Sequence, residues 1–247
     1  GLGPIGTAIG LGLKRAQLAN TEIVGTDREL SWVFGAEKMG AVDKAVRTLG
    51  SAVDGAGLVI LDTELSEIKE LLEVLGEILD EGTVITDTAS TKVPVMKWAD
   101  EYLRNGVSFV GGHPLPKNVI RTHKEADPAA FEDARYCIIP SKSARPDAVK
   151  IVVGMVEKLG CEPFFLDAAE HDIYAAAMSS LPILVSSALV TSTSSSESWR
   201  DMSSLAASEF RELSRLASND PEETMAACLA NPEHVVHWID QMISELY

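Results

Sequence analysis

The chain has 247 residues, of which 46% are hydrophobic, and a formal net charge of −16 from 21 basic and 37 acidic residues. This length allows one large or two smaller domains with a sizeable core. The acidic balance argues against binding to nucleic acid or to an anionic membrane, because both need a basic surface. Cys137, Cys161 and Cys228 lack metal-ligand spacing, so we expect buried, reduced thiols in a cytoplasmic protein.

A glycine-rich turn opens the chain and leads into a predicted helix at 7–18. Its sequence, GLGPIG, matches the G-x-G-x-x-G pattern that brings backbone N–H groups close to a pyrophosphate. An ordinary glycine turn is the alternative. An apolar strand normally precedes such a turn, so we expect further residues upstream in the natural protein. The residues predicted to contact a dinucleotide here are Gly1, Gly3, Pro4, Ile5 and Gly6.

An acidic residue follows the next predicted strand, 22–26. Asp27 lies 21 residues after Gly6, close to the roughly 20 expected for the carboxylate that binds an adenosine ribose. An acid here favours NAD because it repels the 2′-phosphate of NADP. The adjacent Arg28 could hold that phosphate, so NADP remains possible. We also assign Thr63, directly after the strand predicted at 58–62, to the cofactor site.

Strands and helices alternate through the first part of the chain. This order predicts an α/β domain with a doubly wound parallel sheet of Rossmann type, spanning 1–167. A polar segment at 118–133 is expected to form a loop near the site. The predicted strands are 22–26, 58–62, 83–87 and 108–111, with 136–139 and 163–166 extending the sheet, and the clearest helices are 65–79 and 146–159.

After residue 167 the strand signals stop and helical patterns follow. They predict a smaller all-helical domain at 168–247 that packs on the first domain and forms a homodimer. Its apolar segment at 173–190 is broken by serines and a proline, which favours a buried helix over a membrane span. Asn219 or Asp220 is expected to cap a helix that begins at Pro221.

Polar residues follow the strand predicted at 83–87, at the carboxyl edge of the sheet where ligands bind. Ser90 could orient a neighbouring group by hydrogen bonding, and Asp87 and Lys92 could pair with each other. The alternative is a capped helix start with a solvated ion pair.

The next strand is followed by the sequence GGHPLP. Two glycines place the backbone close to another group, and the histidine, His113, has an ordinary pKa of about 6.5, suited to accepting a proton at neutral pH. A structural turn histidine is the alternative.

Later in the chain, Arg211 and Arg215 are four residues apart and would share a helix face. Such guanidinium groups suit a substrate carboxylate, although exposed arginines paired with acids are the commoner case.

These segments occur together and in order in one family. The chain resembles the prephenate dehydrogenases, which include the arogenate and cyclohexadienyl dehydrogenases, over nearly its whole length. The matching parts are the glycine turn, D-x-x-S-x-K at 87–92, G-x-H-P at 111–114, Glu170-His171-Asp172, the SSLP segment at 179–182, and 210–221.

The resemblance implies an NAD-dependent oxidative decarboxylation of prephenate or arogenate in tyrosine biosynthesis. Carried over, His113 accepts the hydroxyl proton of the substrate, and Ser90 orients His113 and the nicotinamide. Arg215 binds a substrate carboxylate, and Ser180 and Lys92 complete the substrate site. A helical second domain that dimerises is also a family trait.

The chain departs from the family on the substrate side. The family motif S-H-L-P-H reads SSLPI here, so both histidines are replaced, by Ser180 and Ile183. After His113-Pro114 the usual M-A-G reads LPK, and Lys117, Arg121 and Lys124 are candidates to replace the lost charge. Two alternatives therefore stay open: an NAD(P)-dependent dehydrogenase of another small hydroxy acid, or a catalytically weak NAD-binding protein.

Overall fold

Short strands lie at the centre of the first half of the chain. The computed structural model describes residues 1–118, 120 and 122–247. The strands are Val24–Gly25 (β1), Lys44–Ala45 (β2), Leu58–Leu61 (β3), Val84–Asp87 (β4), Ser108–Leu115 (β5), Arg135–Pro140 (β6) and Glu162–Phe165 (β7). β1 and β2 form a parallel pair separate from the other five, and the larger sheet has the order β3-β4-β5-β6-β7.

The larger sheet is parallel except between β5 and β6, which run antiparallel. The predicted parallel sheet is thus confirmed, and the antiparallel pairing of β5 with β6 is a detail that the sequence did not predict. The antiparallel pairing also extends β5 to Leu115 and places His113 opposite Cys137. His113 consequently lies within β5 and not after the end of the strand predicted at 108–111, because pairing with a distant segment keeps the backbone extended.

Helices cover both faces of the sheet. On β4, Val84 belongs to one buried apolar cluster with Ile9 and Val152, whereas its neighbour Ile85 belongs to another with Leu72 and Val95. Successive side chains of a strand point to opposite faces, so this arrangement confirms the doubly wound architecture. The helices of this part are Pro4–Arg15 (α1), Leu30–Met39 (α2), Leu49–Val53 (α3), Leu65–Ile78 (α4), Val93–Tyr102 (α5) and Pro146–Lys158 (α6).

The chain divides into two units, Gly1–Ala168 and Ala169–Tyr247, and the second is helical. The Asp220 side chain accepts hydrogen bonds from the N–H groups of Glu222 and Glu223, which confirms the predicted cap at Pro221. The helices are Ala168–Ala175 (α7), Leu181–Ser194 (α8), Trp199–Ser204 (α9), Ser208–Ser214 (α10), Pro221–Ala230 (α11) and Pro232–Leu246 (α12), with a π-helical turn at Ala176–Ser180 between α7 and α8.

One helical stretch, Ala168–Ser194, is long and apolar enough to span a membrane by length and composition alone. Its most apolar window is only 22% buried, so the prediction of a buried helix was wrong for the single chain. Met178 is 75% exposed in this stretch, and further large apolar side chains of the unit are also exposed: Leu205, Leu213, Met225 and Leu229. A helical unit of this size leaves apolar surface that its own fold does not cover.

Candidate active site

The glycine turn forms the start of α1 and brings Asp27 close to it. The N–H of Leu2 donates to Asp27 Oδ2 at 2.7 Å, and the N–H of Glu29 donates to Oδ1 at 2.8 Å. A Cβ added to Gly6 would lie 2.5 Å from the carbonyl oxygen of Gly1, so the tight turn requires glycine at this position. The two features that predicted a dinucleotide site thus meet at one edge of the sheet.

Arg28 and Thr63 converge on a residue that the sequence did not single out. The Arg28 guanidinium pairs with Glu67 on α4, and the Thr63 hydroxyl donates to the same carboxylate. Arg28 is therefore paired with a carboxylate from its own chain, which reduces its capacity to hold a 2′-phosphate. This arrangement strengthens the preference for NAD that Asp27 indicates.

Asp62 is a second acidic residue that the sequence analysis missed. It follows β3 directly, is partly buried, and accepts hydrogen bonds from the N–H of Gly6 at 2.6 Å and from the Thr88 hydroxyl at 2.7 Å. The Gly6 amide, in the first turn of α1, thus already holds an anionic group. This contact shows that the turn suits an anion such as a phosphate.

The predicted pairing of Asp87 with Lys92 is confirmed, but the pair is buried and not solvated. Neither side chain has exposed surface. Asp87 accepts from the N–H groups of Ala89 and Gly112, at 3.1 and 3.0 Å, and Lys92 Nζ donates to the carbonyl oxygen of Gly112 at 2.7 Å. Lys92 therefore lies in a different setting from the substrate-contacting one expected, because its ammonium group is enclosed by the protein.

His113 follows the residue that this ion pair holds. Gly112 is bound through both its N–H and its carbonyl group, so the peptide that leads into His113 is fixed on β5. A Cβ on Gly112 would lie 2.5 Å from the carbonyl oxygen of Asp87, which excludes any larger residue. The His113 side chain is half-buried, as is Ser90 in the segment between β4 and α5.

The predicted loop at 118–133 contains two short 3-10 turns and packs against the glycine turn. His123 Nε2 lies 2.8 Å from the carbonyl oxygen of Leu2, and its ring meets Trp32 edge-on at 5.8 Å between centroids. No local sequence pattern indicated this role of His123. Of the three cations suggested for this loop, Lys117 lies 3.4 Å from Asp133, while Arg121 lies outside the described residues.

In the second unit, Arg215 is exposed and Ser180 is half-buried at the end of the π-helical turn. α10 ends at Ser214, and Arg215 begins a 3-10 turn with helical backbone angles, so the common helix face of Arg211 and Arg215 stays a prediction. His171 and the neighbouring Asp172 are both buried, and their side chains contact each other at 2.8 Å. This contact is consistent with a structural role at the start of α7.

Comparison with known proteins relates both units to one family. Residues 9–163 match the family model "Prephenate dehydrogenase, nucleotide-binding domain", and residues 167–247 match "Prephenate dehydrogenase, dimerization domain". Prephenate dehydrogenase of Lactococcus lactis is 32% identical, and that of Bacillus subtilis is 30% identical; each alignment covers 100% of this chain and, respectively, 68% and 67% of the relative.

A solved structure has the same fold as this chain. Prephenate dehydrogenase from Aquifex aeolicus, in complex with hydroxyphenyl propionate and NAD+, has a TM-score of 0.91 and 24% identity, and the alignment covers 100% of this chain and 86% of that one.

Proposed function

Because the chain belongs to the prephenate dehydrogenase family, it is an oxidoreductase with a nucleotide-binding domain, and we propose that it catalyses the NAD-dependent oxidative decarboxylation of prephenate or arogenate in tyrosine biosynthesis. In this reaction the carbon that bears the ring hydroxyl loses a hydride, and the ring carboxylate leaves as CO₂. Prephenate then yields 4-hydroxyphenylpyruvate, and aromatisation of the ring drives the reaction.

The observation that carries the proposal is a continuous set of contacts at one edge of the sheet. Gly6 binds Asp62, which binds Thr88, and the neighbouring Asp87 binds the Gly112 peptide that leads to His113. The glycine turn is thereby linked to the proposed catalytic histidine. When bound, NAD would accept the hydride. The glycine turn and Asp27 are suited to hold its pyrophosphate and adenosine ribose.

His113 is proposed as the general base. Removing the hydroxyl proton of the substrate raises the electron density on the carbon and favours departure of the hydride. Ser90 would orient His113, and the buried Asp87–Lys92 pair would position it through the Gly112 peptide. We therefore assign Lys92 a positioning role in place of direct substrate binding.

Arg215 would bind a substrate carboxylate, since a guanidinium group can donate two parallel hydrogen bonds to it. Ser180 can donate a hydrogen bond, but the apolar Ile183 cannot. This difference from the family motif favours one second candidate, an NAD-dependent dehydrogenase of another small hydroxy acid that uses the same cofactor site.

Turnover measurements distinguish the prephenate or arogenate reaction from the dehydrogenation of another hydroxy acid. Purified protein with NAD is supplied with prephenate, with arogenate, or with a panel of small hydroxy acids, and NADH absorbance is followed. Turnover of prephenate or arogenate would support the first proposal. Absence of turnover with both, together with measurable NAD binding and turnover of a hydroxy acid, would establish the second.

We further propose that the protein is a cytoplasmic homodimer. Its second unit matches a dimerization domain, and the exposed apolar side chains of that unit, Met178 and Leu229 among them, are suited to pack against a second copy.

A further inference from the structure

Asp62 occupies a position where a negative charge conflicts with the proposed cofactor. Its carboxylate accepts a 2.6 Å hydrogen bond from the N–H of Gly6, within the first turn of α1. Backbone N–H groups at the start of such a helix are the donors that a dinucleotide pyrophosphate uses. One oxygen of Asp62 thus lies on a donor that the pyrophosphate would need.

Further contacts hold the Asp62 side chain against the Gly6 amide. Asp62 Oδ1 accepts from the Thr88 hydroxyl at 2.7 Å, so the side chain is held from two sides. A Cβ built on Gly6 would lie 2.7 Å from Asp62 Oδ2, and one built on Gly3 would lie 3.5 Å from it. The carboxylate therefore lies against Gly3 and Gly6 of the turn, within the space over which a phosphate would approach.

The surroundings of Asp62 favour its neutral form more than is usual for an aspartic acid, chiefly through burial. Burial raises the pKa of Asp62, and the carboxylate of Asp27 raises it further. The hydrogen bonds from the Thr88 hydroxyl and the Gly6 N–H lower the pKa in opposition.

Resting on the NAD-dependent function proposed above, we propose that Asp62 is an internal competitor for the pyrophosphate site and sets the affinity for NAD. In its ionised form the carboxylate holds the Gly6 amide and repels the pyrophosphate. When Asp62 is protonated, the repulsion ends and the neutral carboxyl group can donate a hydrogen bond to a phosphate oxygen. NAD affinity should therefore increase as the pH falls through the pKa of Asp62.

The test is an NAD titration followed by protein fluorescence, for the wild type and for Asp62→Asn, over a range of pH from mildly acidic to mildly alkaline. The asparagine side chain has the same shape and can still accept from Gly6, but it carries no charge. We expect Asp62→Asn to bind NAD about tenfold more tightly than the wild type at the alkaline end, which is the order of one like-charge contact at about 4 Å that is largely screened by water. The affinity of the wild type should approach that of the variant at the acidic end, while the variant shows a nearly flat profile.

Glu64→Gln is the matched control, because Glu64 is an exposed acid two residues along the same segment. It should retain the affinity and the pH profile of the wild type. Equal or weaker NAD binding by Asp62→Asn would overturn the inference and indicate that the carboxylate accepts hydrogen bonds from the cofactor. If Asp62→Asn does not fold, the pH dependence of NAD affinity in the wild type is the test. An affinity that does not weaken as the pH rises overturns the proposal.

The outcome is distinguishable from failure of the proposed function. NAD affinities that depend on pH as expected, without turnover of prephenate or arogenate, would contradict the proposed reaction and still support the role of Asp62. Turnover with identical NAD affinities in the wild type and Asp62→Asn would remove only the role of Asp62.

Discussion

Lys92 and Asp87 form an ion pair in which neither side chain is exposed to solvent. Taking both charges out of water is costly, and the pair is retained by hydrogen bonds to the peptide groups around it. Because these bonds hold Gly112 from both sides, the pair connects the end of β4 to the strand that carries His113. The stability of the first unit and the position of its proposed catalytic base thus depend on the same two residues.

Replacing Lys92 with methionine should destabilise the protein strongly. The change leaves Asp87 charged and buried without its partner, which costs about 3–5 kcal/mol in comparable sites. The free energy of unfolding by urea measures the effect. Lys97→Met is the control, because Lys97 is exposed on α5, the helix that Lys92 precedes, and its replacement should change the stability by less than about 0.5 kcal/mol. Equal losses of stability in Lys92→Met and Lys97→Met would contradict the conclusion that Lys92 neutralises a buried Asp87.

The double variant Asp87→Asn/Lys92→Met separates stability from positioning. It removes both charges while the amide oxygen at position 87 can still accept from Gly112, so part of the lost stability should return. Its kcat should nevertheless stay low, because the Gly112 carbonyl has lost its donor, and its affinity for NAD should match that of the wild type. Recovery of kcat together with stability would show that the pair has only a structural role.

His113→Asn should abolish turnover without loss of NAD affinity. An asparagine side chain cannot take up the hydroxyl proton, and general-base catalysis contributes about 100-fold or more. Steady-state kinetics and an NAD titration on the same preparation give the two quantities. His237→Asn, in an exposed position on α12, should retain wild-type turnover. Normal turnover by His113→Asn would require another base.

Glu67→Gln should improve the use of NADP. The substitution releases Arg28 from its ion pair, so that the guanidinium group can reach the 2′-phosphate. Since an exposed ion pair contributes at most about 1 kcal/mol, kcat/KM for NADP should rise about two- to fivefold, with little change for NAD. Glu70→Gln, in an exposed position on the same helix, should change neither value. An unchanged value for NADP in Glu67→Gln would indicate that Arg28 does not face the phosphate.

The two buried cysteines should resist alkylation in the native protein. Burial raises the pKa of Cys161 to about 11 and also raises that of Cys137, so both are protonated thiols at neutral pH and below. Mass spectrometry after treatment with iodoacetamide at neutral pH should find both unmodified, and all three cysteines modified in urea. Rapid modification of Cys161 in the folded protein would contradict its burial.

Local sequence patterns predicted the regular elements well where one face of an element is buried. The helix predicted at 65–79 is observed as Leu65–Ile78, because Ile68, Leu72 and Leu75 repeat at helical spacing and are fully buried. The strand at Val84–Asp87 was predicted for a similar reason, since its residues are buried on both faces.

Features that depend on distant residues were not predictable in this way. The extension of β5 through His113 depends on pairing with β6, more than 20 residues away in sequence. Asp62 belongs to no sequence motif, and its contact with Gly6 joins residues 56 positions apart. The exposure of Met178 was missed because an apolar helix has the same pattern whether its own chain or a second copy covers it.

Dimerisation should depend on the apolar side chains that the single chain leaves exposed in its second unit. Met178 and Leu229 are 75% and 70% exposed, and apolar surface of this kind is typical of an interface between subunits. Sedimentation equilibrium of the wild type should give twice the monomer mass. The double variant Met178→Glu/Leu229→Glu should shift the protein towards monomer, because glutamate is costly to bury without a partner.

Lys150→Glu is the control for this prediction, because Lys150 is exposed on α6 of the first unit, and the variant should remain dimeric. A monomeric wild type would contradict the proposed assembly, and an unchanged dimer in the double variant would place the interface on other residues of the unit.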